Sequence, residues 1–451
     1  MDIKHFGKNI NKNINKNINL LIHAFKLSIL ILSEAFLYYV CNKKNHFDFF
    51  NKVAKINILC VKIFQAIALD NNLINDKMDD KLLKFTDNVP FENEDIDIKT
   101  ITDISNDYNL SVSIKPINSG MISLVFKAYN KEKEYYVIKL KRKNIEEKLN
   151  EAIDVILYIV YFLSFFSYFK TFQISEIVNK NILLLKNQLN FEEEVNNILL
   201  FKEKCKLLKY IIIPTVEPLI TKKYNNAILM EYINGLPITK VKTEDYEPFV
   251  KQIMKFTLIT SFIHSISHAD LHCGNILFIK DENDVKYKHK IAILDFGIVF
   301  NFDTSVTNAF IELILSLFKN KEDEIAEQII KNKIIEFKDN LDPYCLPETD
   351  YKIILNIISN FAKEFIIDYK NGNNKVEVYR IICELNNYIT NNQHLIKYKI
   401  RPSDNLIKIQ MILGMAQGVH KKLCGDKCYN ITDSIINEVF HTELFLTDEY
   451  E

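Results

Sequence analysis

Residues 268 to 297 read HADLHCGNILF, a polar connection and IAILDFG, and this stretch limits the possible folds more than any other part of the chain. Apolar runs from Ile276 to Ile279 and from Ile291 to Leu294 flank the turn-forming DEND of 281 to 284, which predicts two strands joined by a hairpin connection. A short loop followed by two strands aims Asp270, Asn275 and Asp295 at one point. Three oxygen-bearing side chains gathered in this way suit phosphoryl transfer, because Mg²⁺ is a hard ion that takes oxygen ligands shared among one or two protein groups, phosphate and water.

The spacing matches the H-R-D-x-x-x-x-N and D-F-G pattern, in which the first Asp positions or deprotonates the nucleophile and the Asn and second Asp hold Mg²⁺. Asn275 stands five residues after Asp270, as that pattern requires. A competing reading starts from His264, His268 and His272, which recur every fourth residue and on a helix would mimic a metal cluster. A transition-metal site leaves the Asp270, Asn275 and DFG spacing unexplained. A DFG alone would be weak evidence, and it is the joint occurrence that carries the reading.

At 451 residues and 48% hydrophobic content the chain can build two or three packed units. A formal charge of -1 gives no case for nucleic-acid binding. The eight cysteines are scattered without a CxxC pair, and Cys424 and Cys428 are the closest, so free thiols in a reducing compartment are expected.

The first sixty residues hold nine lysines against Asp2, Glu34 and Asp48, and residues 8 to 19 repeat KNIN three times. Such a basic, acid-poor start is read as a solvated low-complexity tail, with a transit peptide or a membrane-surface helix as alternatives. Residues 20 to 40 are apolar but carry His23, Lys26 and Glu34, which predicts a buried helix rather than a membrane span. Val155 to Phe169 runs fifteen residues without a charge and is read as a core or interface helix.

Upstream of the catalytic region, ISLVFKA and YYVIKLK alternate as strands after a turn at Asn118-Ser119-Gly120. Lys139 occupies the place of a kinase lysine that bonds the α and β phosphates. Its carboxylate partner is sought in the helical FEEEVNNILLFKEK, where Val195, Ile198 and Leu199 face inward and Glu192, Glu193 and Glu194 compete; Glu194 is favoured. AILMEYINGLP at 227 to 237 reads as a strand ending in a linker, where backbone groups from Glu231 to Ile233 can receive adenine. Helical patterns dominate 246 to 266, 305 to 336, 350 to 369, 375 to 390 and 404 to 424, broken at Asp342-Pro343, Asn371 to Asn374 and Arg401-Pro402.

Together these residues resemble the UbiB family of atypical protein-kinase-like proteins, the one with the ADCK and Coq-eight-type mitochondrial members. The resemblance covers roughly residues 45 to 430 in order. HADLHCGN matches the family's HADPHPGN, and Lys62-Ile63-Phe64-Gln65 matches its KxGQ element, which lies in an extension covering the active site. LLKFTDNVPFE at 82 to 92 parallels its LQD-VPP segment, and MILGMAQGVHKKL its closing helix. The resemblance implies an α+β, protein-kinase-like bilobal fold: a basic segment and apolar helix over 1–44, a helical extension with Lys62 and Gln65 over 45–100, a mixed lobe over 101–235 and a mainly helical lobe over 236–451.

Three departures stand beside the matches. Phe64 replaces the KxGQ glycine, Gln188 and Asn190 replace an acidic ExD pair, and Gly120 stands where a third alanine is expected in the nucleotide loop. A glycine there can take positive φ and bring backbone N–H groups nearer to phosphate.

The activity expected is Mg-ATP-dependent phosphoryl transfer or ATP hydrolysis. Lys139, held by Glu194, would steady phosphates over Ser119 and Gly120, Asn275 and Asp295 would hold Mg²⁺, and Asp270 would orient the acceptor. The short stretch from Gly297 to the helical TNAFIELILSLF, without A-P-E, favours a small-molecule, lipid-linked or purely ATPase role. The family implies quinone or isoprenoid-lipid metabolism and a mitochondrial or membrane-peripheral setting. Two rivals are an aminoglycoside- or choline-kinase-type phosphotransferase, opposed by KIFQ and the DFG glycine, and a nucleotide-binding scaffold without turnover, opposed by Lys139, Asp270, Asn275 and Asp295.

Overall fold

In the computed structural model of the protein the described residues are 14–39, 52–53, 56–60, 89–163, 182–318, 322–337, 341–370, 385, 388–389, 391–425 and 431–440. Along the chain the elements are α1 (Ile14–Tyr39), α2 (Ile98–Asp107), β1 (Ser111–Val112), β2 (Asn118–Ser119), β3 (Ser123–Tyr129), β4 (Tyr135–Lys141), α3 (Ile145–Leu163) and α4 (Phe191–Lys204). Then come β5 (Ile211–Ile212), α5 (Pro218–Lys223), β6 (Ala227–Glu231), α6 (Tyr246–Leu258), β7 (Ile266–His268), β8 (Ile276–Lys280), β9 (His289–Ile293) and β10 (Val299–Asn301). The chain ends with α7 (Thr304–Phe318), α8 (Glu322–Lys331), β11 (Ile335–Phe337), α9 (Glu348–Lys370), β12 (Ile400–Pro402), α10 (Asp404–Cys424) and α11 (Ile431–Phe440). It divides into two compact units, one of residues 1–199 with 214–232, the other of 200–213 with 233–451.

The first unit is built on a sheet of order β1-β3-β4-β6, with β2 hydrogen-bonded to β3. Alternation in SLVFKAY and YYVIKLK sends Leu124, Phe126, Ala128, Ile138 and Leu140 into a core shared with Ile104, Ile220 and Leu229. Residues directly opposite across a ladder share a face. Val125 lies opposite Lys139 and Lys127 opposite Val137, while Lys139 lies opposite Ile228 and Val137 opposite Met230. Lys139 therefore sits on the face away from that core, among Val125, Val137, Ile228 and Met230. A second cluster packs Leu149, Ile153, Leu157 and Val160 of α3 around Leu59.

Helix α1 packs on α3 and departs from the buried helix expected over 20 to 40. Leu20, Ala24 and Leu27 are buried, but Ile18, Leu21, Ile22, Phe25, Ile29 and Leu32 are exposed on the opposite face. The cause is periodicity: the sequence carries apolar residues at helical spacing on two faces, and one neighbouring helix covers only one. No helix among the described residues is long and apolar enough to cross a membrane. Residues 164 to 169 of the second apolar run lie outside the described residues.

In the second unit β5 joins β9 in parallel, β9 joins β8 antiparallel, and β10 pairs with β7. Helix α6 packs on α10 and α11, and α8 on α9. The helical pattern of 246 to 266 ends at Leu258, passes through a π-helical turn over Ile259–Ile263 and stops at Ser265, whose φ of 57° turns the chain into β7. Over the helical pattern of 305 to 336 the described residues form α7, α8 and then β11, and Lys333, with a φ of 51° that a helix cannot continue through, turns the chain from α8 into the strand. Most of 375 to 390 lies outside the described residues. Helix α10 starts on Ser403, whose hydroxyl accepts from Leu406 N–H, and ends at Gly425 with φ 54°. Cys424, just before that turn, is disulfide-bonded and departs from the expectation of free thiols. Its partner is none of Cys60, Cys205, Cys273 and Cys345, which are free.

The linker after β6 runs beside β8, with Leu236 and Phe278 exchanging backbone hydrogen bonds of 2.8 Å. A Cβ on Gly235 would lie 2.7 Å from Leu277 Cβ and 3.1 Å from Ile279 Cγ1. Gly235→Ala is accordingly expected to cost about 2 kcal/mol by overpacking. A lowered urea midpoint with an unchanged slope would show it, and a parental midpoint would refute it.

Candidate functional site

Each unit contributes one group of the residues singled out in the sequence. In the first, Lys139 Nζ meets Glu194 Oε1 at 2.5 Å, with both side chains buried. Helix α4 selects this carboxylate because its buried stripe runs Phe191, Glu194, Val195, Ile198 and Phe201. Glu192 and Glu193 fall on the exposed side. Leu199, expected inward, is 42% exposed because it lies off that stripe. Asn190 caps the helix: its Oδ1 accepts from Glu193 N–H at 3.2 Å and its carbonyl from Glu194 N–H at 3.1 Å. A buried pair of this kind is costly to break from one side, since the remaining charge has no water to turn to.

The β2–β3 hairpin carries Ser119 and Gly120. Ser119 is buried, and its hydroxyl donates to the Val89 carbonyl at 2.6 Å and accepts from Arg142 Nη2 at 2.9 Å. Gly120 N–H donates to Ser123 O at 2.8 Å. The expected positive φ is absent there: Gly425 is the glycine with that conformation among the described residues. A Cβ on Gly120 would meet Ser123 O at 3.5 Å, an ordinary contact, so the hairpin closes without a left-handed residue. Glu231 ends β6 with its carboxylate accepting from Thr215 N–H at 3.1 Å and Oγ1 at 3.0 Å. Ile233 is half-buried and begins the next stretch of the second unit. Lys62, Phe64 and Gln65 lie outside the described residues.

In the second unit Asp270, Asn275 and Asp295 are held by backbone ties between two loops. Asn275 Nδ2 donates to the Asp270 carbonyl at 2.8 Å, which leaves Oδ1 as the acceptor of that side chain. Leu294 N–H donates to Asn275 O at 3.0 Å and Ala269 N–H to Ile298 O at 3.0 Å. Asp295 Oδ1 accepts from Gly297 N–H at 2.9 Å. Between the loops lies His268, buried, its Nδ1 accepting from Asp270 N–H at 3.2 Å and its Nε2 on the Asp295 carbonyl. Burial lowers this imidazole below its ordinary range, and a neutral Nε2–H tautomer satisfies both contacts. Phe296 packs on the imidazole edge at 5.2 Å and on Phe201 at 5.0 Å.

His264, His268 and His272 are not on one helix, since His268 ends β7 and His272 caps the turn Cys273–Asn275. No group of three or more His, Cys, Asp or Glu side chains suited to a metal gathers among the described residues. A carboxylate and an amide oxygen are the donor set a shared Mg²⁺ takes. A lysine-carboxylate pair and such oxygens are suited to phosphates and their cation, respectively.

Several supporting residues escaped the sequence reading. Val125, Val137 and Met230 share the Lys139 face and could have been found by counting in twos from Lys139. His268 was read only as part of a histidine repeat. Asp245, ahead of α6, accepts from His289 Nε2 and Lys280 Nζ, each at 2.8 Å, and so clamps the β8–β9 hairpin at the end where its connection begins.

A family model described as the ABC1 atypical kinase-like domain matches residues 93–329, more than half of the chain. The chain belongs to the ABC1 atypical kinase-like family. The family resemblance read from HADLHCGN, DFG and the flanking motifs is thereby borne out, as is the α+β, protein-kinase-like fold. An uncharacterized protein in the hydrogenase 1 5′ region of Clostridium pasteurianum is 24% identical over 61% of this chain and 52% of its own length. A probable protein kinase UbiB of Shewanella sp. (strain MR-7) is 22% identical over 63% of this chain and 53% of its own. This ABC1-family chain thus spans about half the length of the curated relatives it matches. The solved complex of Rv3197 with erythromycin from Mycobacterium tuberculosis aligns with a TM-score of 0.47 and 16% identity, over 91% of this chain and 98% of that one.

Asp245 gives a pH test of the hairpin that carries the loops. Burial pushes its carboxyl up, but the hydrogen bonds from Lys280 and His289 outweigh it and hold the carboxyl below its ordinary 3.8. A depressed carboxylate stabilises the fold above its unfolded value and loses that contribution as pH falls through its folded value. Asp245→Asn should therefore cost about 2 kcal/mol at pH 7, with the gap to the parent closing below 3.8. Denaturation across pH checks it; a gap independent of pH would rule the clamp out.

Proposed function

We propose that this chain is a Mg-ATP-dependent atypical kinase or ATPase of the UbiB type, acting on a small-molecule or lipid-linked acceptor and supporting quinone or isoprenoid-lipid metabolism. The observation that carries the reading is the pair of tied loops, which offers Asp270, Asn275 Oδ1 and Asp295 from one rigid frame. In this reading Asn275 and Asp295 hold Mg²⁺, which when bound neutralises phosphate charge. Lys139, kept extended by Glu194, steadies the α and β phosphates, with the backbone of Ser119 and Gly120 above them. Asp270 orients the acceptor hydroxyl or water. Backbone groups of Glu231 and Ile233 receive adenine against the apolar residues beside Lys139, and Lys62 and Gln65 belong to the cover. Catalysis then rests on positioning and preorganised charge. The six residues between Gly297 and α7 leave little room for a peptide-docking segment, which favours a small acceptor.

The test is a thermal shift with Mg-ATP. Ligand at about 100 times its Kd adds about 2.7 kcal/mol, so the parent should melt several degrees higher with Mg-ATP, and Asp295→Asn should lose the Mg-dependent part. No shift in the parent would sink the reading.

Peripheral membrane contact belongs to the same proposal. Exposed Ile18, Leu21, Ile22, Phe25, Ile29 and Leu32 follow the lysine-rich start of the chain, and a basic segment with an apolar helical face suits an anionic lipid surface. Vesicles of phosphatidylserine and phosphatidylcholine should co-sediment the protein, and Phe25→Glu should reduce the bound fraction severalfold. Equal binding of the two proteins would remove this face from the contact.

A further inference from the structure

Arg142 follows Lys139 by three residues, at the end of β4, and is only 4% exposed. A buried guanidinium needs a full set of acceptors, and this one finds them on two segments distant in sequence. On the β2–β3 hairpin, Nε and Nη2 donate to the Gly120 carbonyl at 3.1 and 2.8 Å, and Nη2 to Ser119 Oγ at 2.9 Å. On the stretch 89–95, Nη2 donates to Val89 O at 3.2 Å, and Nη1 to Pro90 O at 2.9 Å and Asp95 Oδ2 at 3.2 Å. Asp95 is fixed in turn by Lys148 Nζ at 2.5 Å and Glu92 N–H at 3.1 Å. The two segments also bond directly, Val89 N–H to Ser119 O at 2.8 Å and Ser119 Oγ to Val89 O at 2.6 Å.

This arrangement fixes the orientation of one peptide group. In a trans peptide the carbonyl of one residue and the N–H of the next point to opposite sides, and this chain holds no cis bond among the described residues. With the Gly120 carbonyl locked on Arg142, the Met121 N–H is turned to the far side of the hairpin. It meets no acceptor among the described residues. A backbone donor set in this way beside a phosphate-binding lysine strand is the usual means of cradling phosphate oxygens.

We propose that Arg142 is the positioning residue of the phosphate-facing hairpin. It sets the Gly120–Met121 peptide with its N–H toward the nucleotide phosphates and makes that setting depend on the Val89, Pro90 and Asp95 contacts. The proposal rests on the nucleotide reading above. It adds a route by which residues 89–95 act on phosphate affinity without touching the nucleotide.

Lysine at this position keeps the charge beside Asp95 but cannot span the carbonyls of Gly120 and Pro90 together, because its ammonium is a point and not a fork. Calorimetric titration of the full chain with Mg-ATP, Mg-ADP and adenosine separates the effects. Arg142→Lys should weaken Mg-ATP and Mg-ADP about tenfold, equivalent to about 1.4 kcal/mol, and leave adenosine within about twofold. Its steady-state ATPase or transfer rate should show a raised KM for ATP with little change in kcat. Ser119→Ala, which removes one hydroxyl from the same junction, should weaken Mg-ATP about threefold. Parental Mg-ATP affinity in folded Arg142→Lys, or an equal loss for adenosine and Mg-ATP, overturns the proposal. If Arg142→Lys does not fold, Ser119→Ala decides: parental Mg-ATP affinity overturns the proposal, and a loss confined to phosphate-bearing ligands supports it. A parent that binds no Mg-ATP at all would defeat the nucleotide reading itself, which is a different result from a parent that binds it and a variant that binds it equally.

Discussion

The contact on which the candidate catalytic loops depend is that of His268 with the Asp295 carbonyl. An imidazole buried in this position can serve only if it stays neutral, accepting from Asp270 N–H on one nitrogen and donating to Asp295 O on the other. Protonation would set a positive charge against an N–H group in a buried site. The side chain thereby locks the backbone of one acidic residue to the backbone of another, while both carboxylates point elsewhere. Phe296 and Phe201 close the packing around it.

The first unit solves a similar problem with charge. Lys139 and Arg142 are both buried and three residues apart on β4 and its end, yet each has its own acceptors. Lys139 presents a point-like ammonium to the Glu194 carboxylate at 2.5 Å. Arg142 divides its donors among carbonyls, a hydroxyl and a carboxylate, so it fastens backbone. The difference follows from the shapes of the two cations.

Much of the site was legible in the sequence because its chemistry depends on short spacings. The five-residue step from Asp270 to Asn275, the hairpin to Asp295 and the alternation around Lys139 are all local, and local geometry is what periodicity reports. The Lys139–Glu194 pair bridges 55 residues, and it was found because only one carboxylate of the triplet can share the buried stripe of α4. Arg142 was missed because its meaning lies in carbonyls 22 to 53 residues away, and backbone acceptors leave no mark on composition. Gly120 was over-read: glycine permits positive φ but does not demand it, and here the hairpin has no use for it. The strand β11 at the end of 305 to 336 was hidden because Lys333, which turns the chain out of α8, is of a residue type that normally propagates a helix.

The short strand β5 carries a further implication. It belongs to the second unit and pairs in parallel with β9 some eighty residues later, while the chain on either side of it belongs to the first unit. Neither unit is a continuous stretch of sequence. During synthesis the first unit lacks β6, the neighbour of β4, until the chain has already emitted β5, which must wait for β9. Early contacts cannot complete either core alone, and the long-range pairings come late, as expected for slow closure of large loops. No single cut leaves both the β1-β3-β4-β6 sheet and the β5-β9-β8 sheet whole.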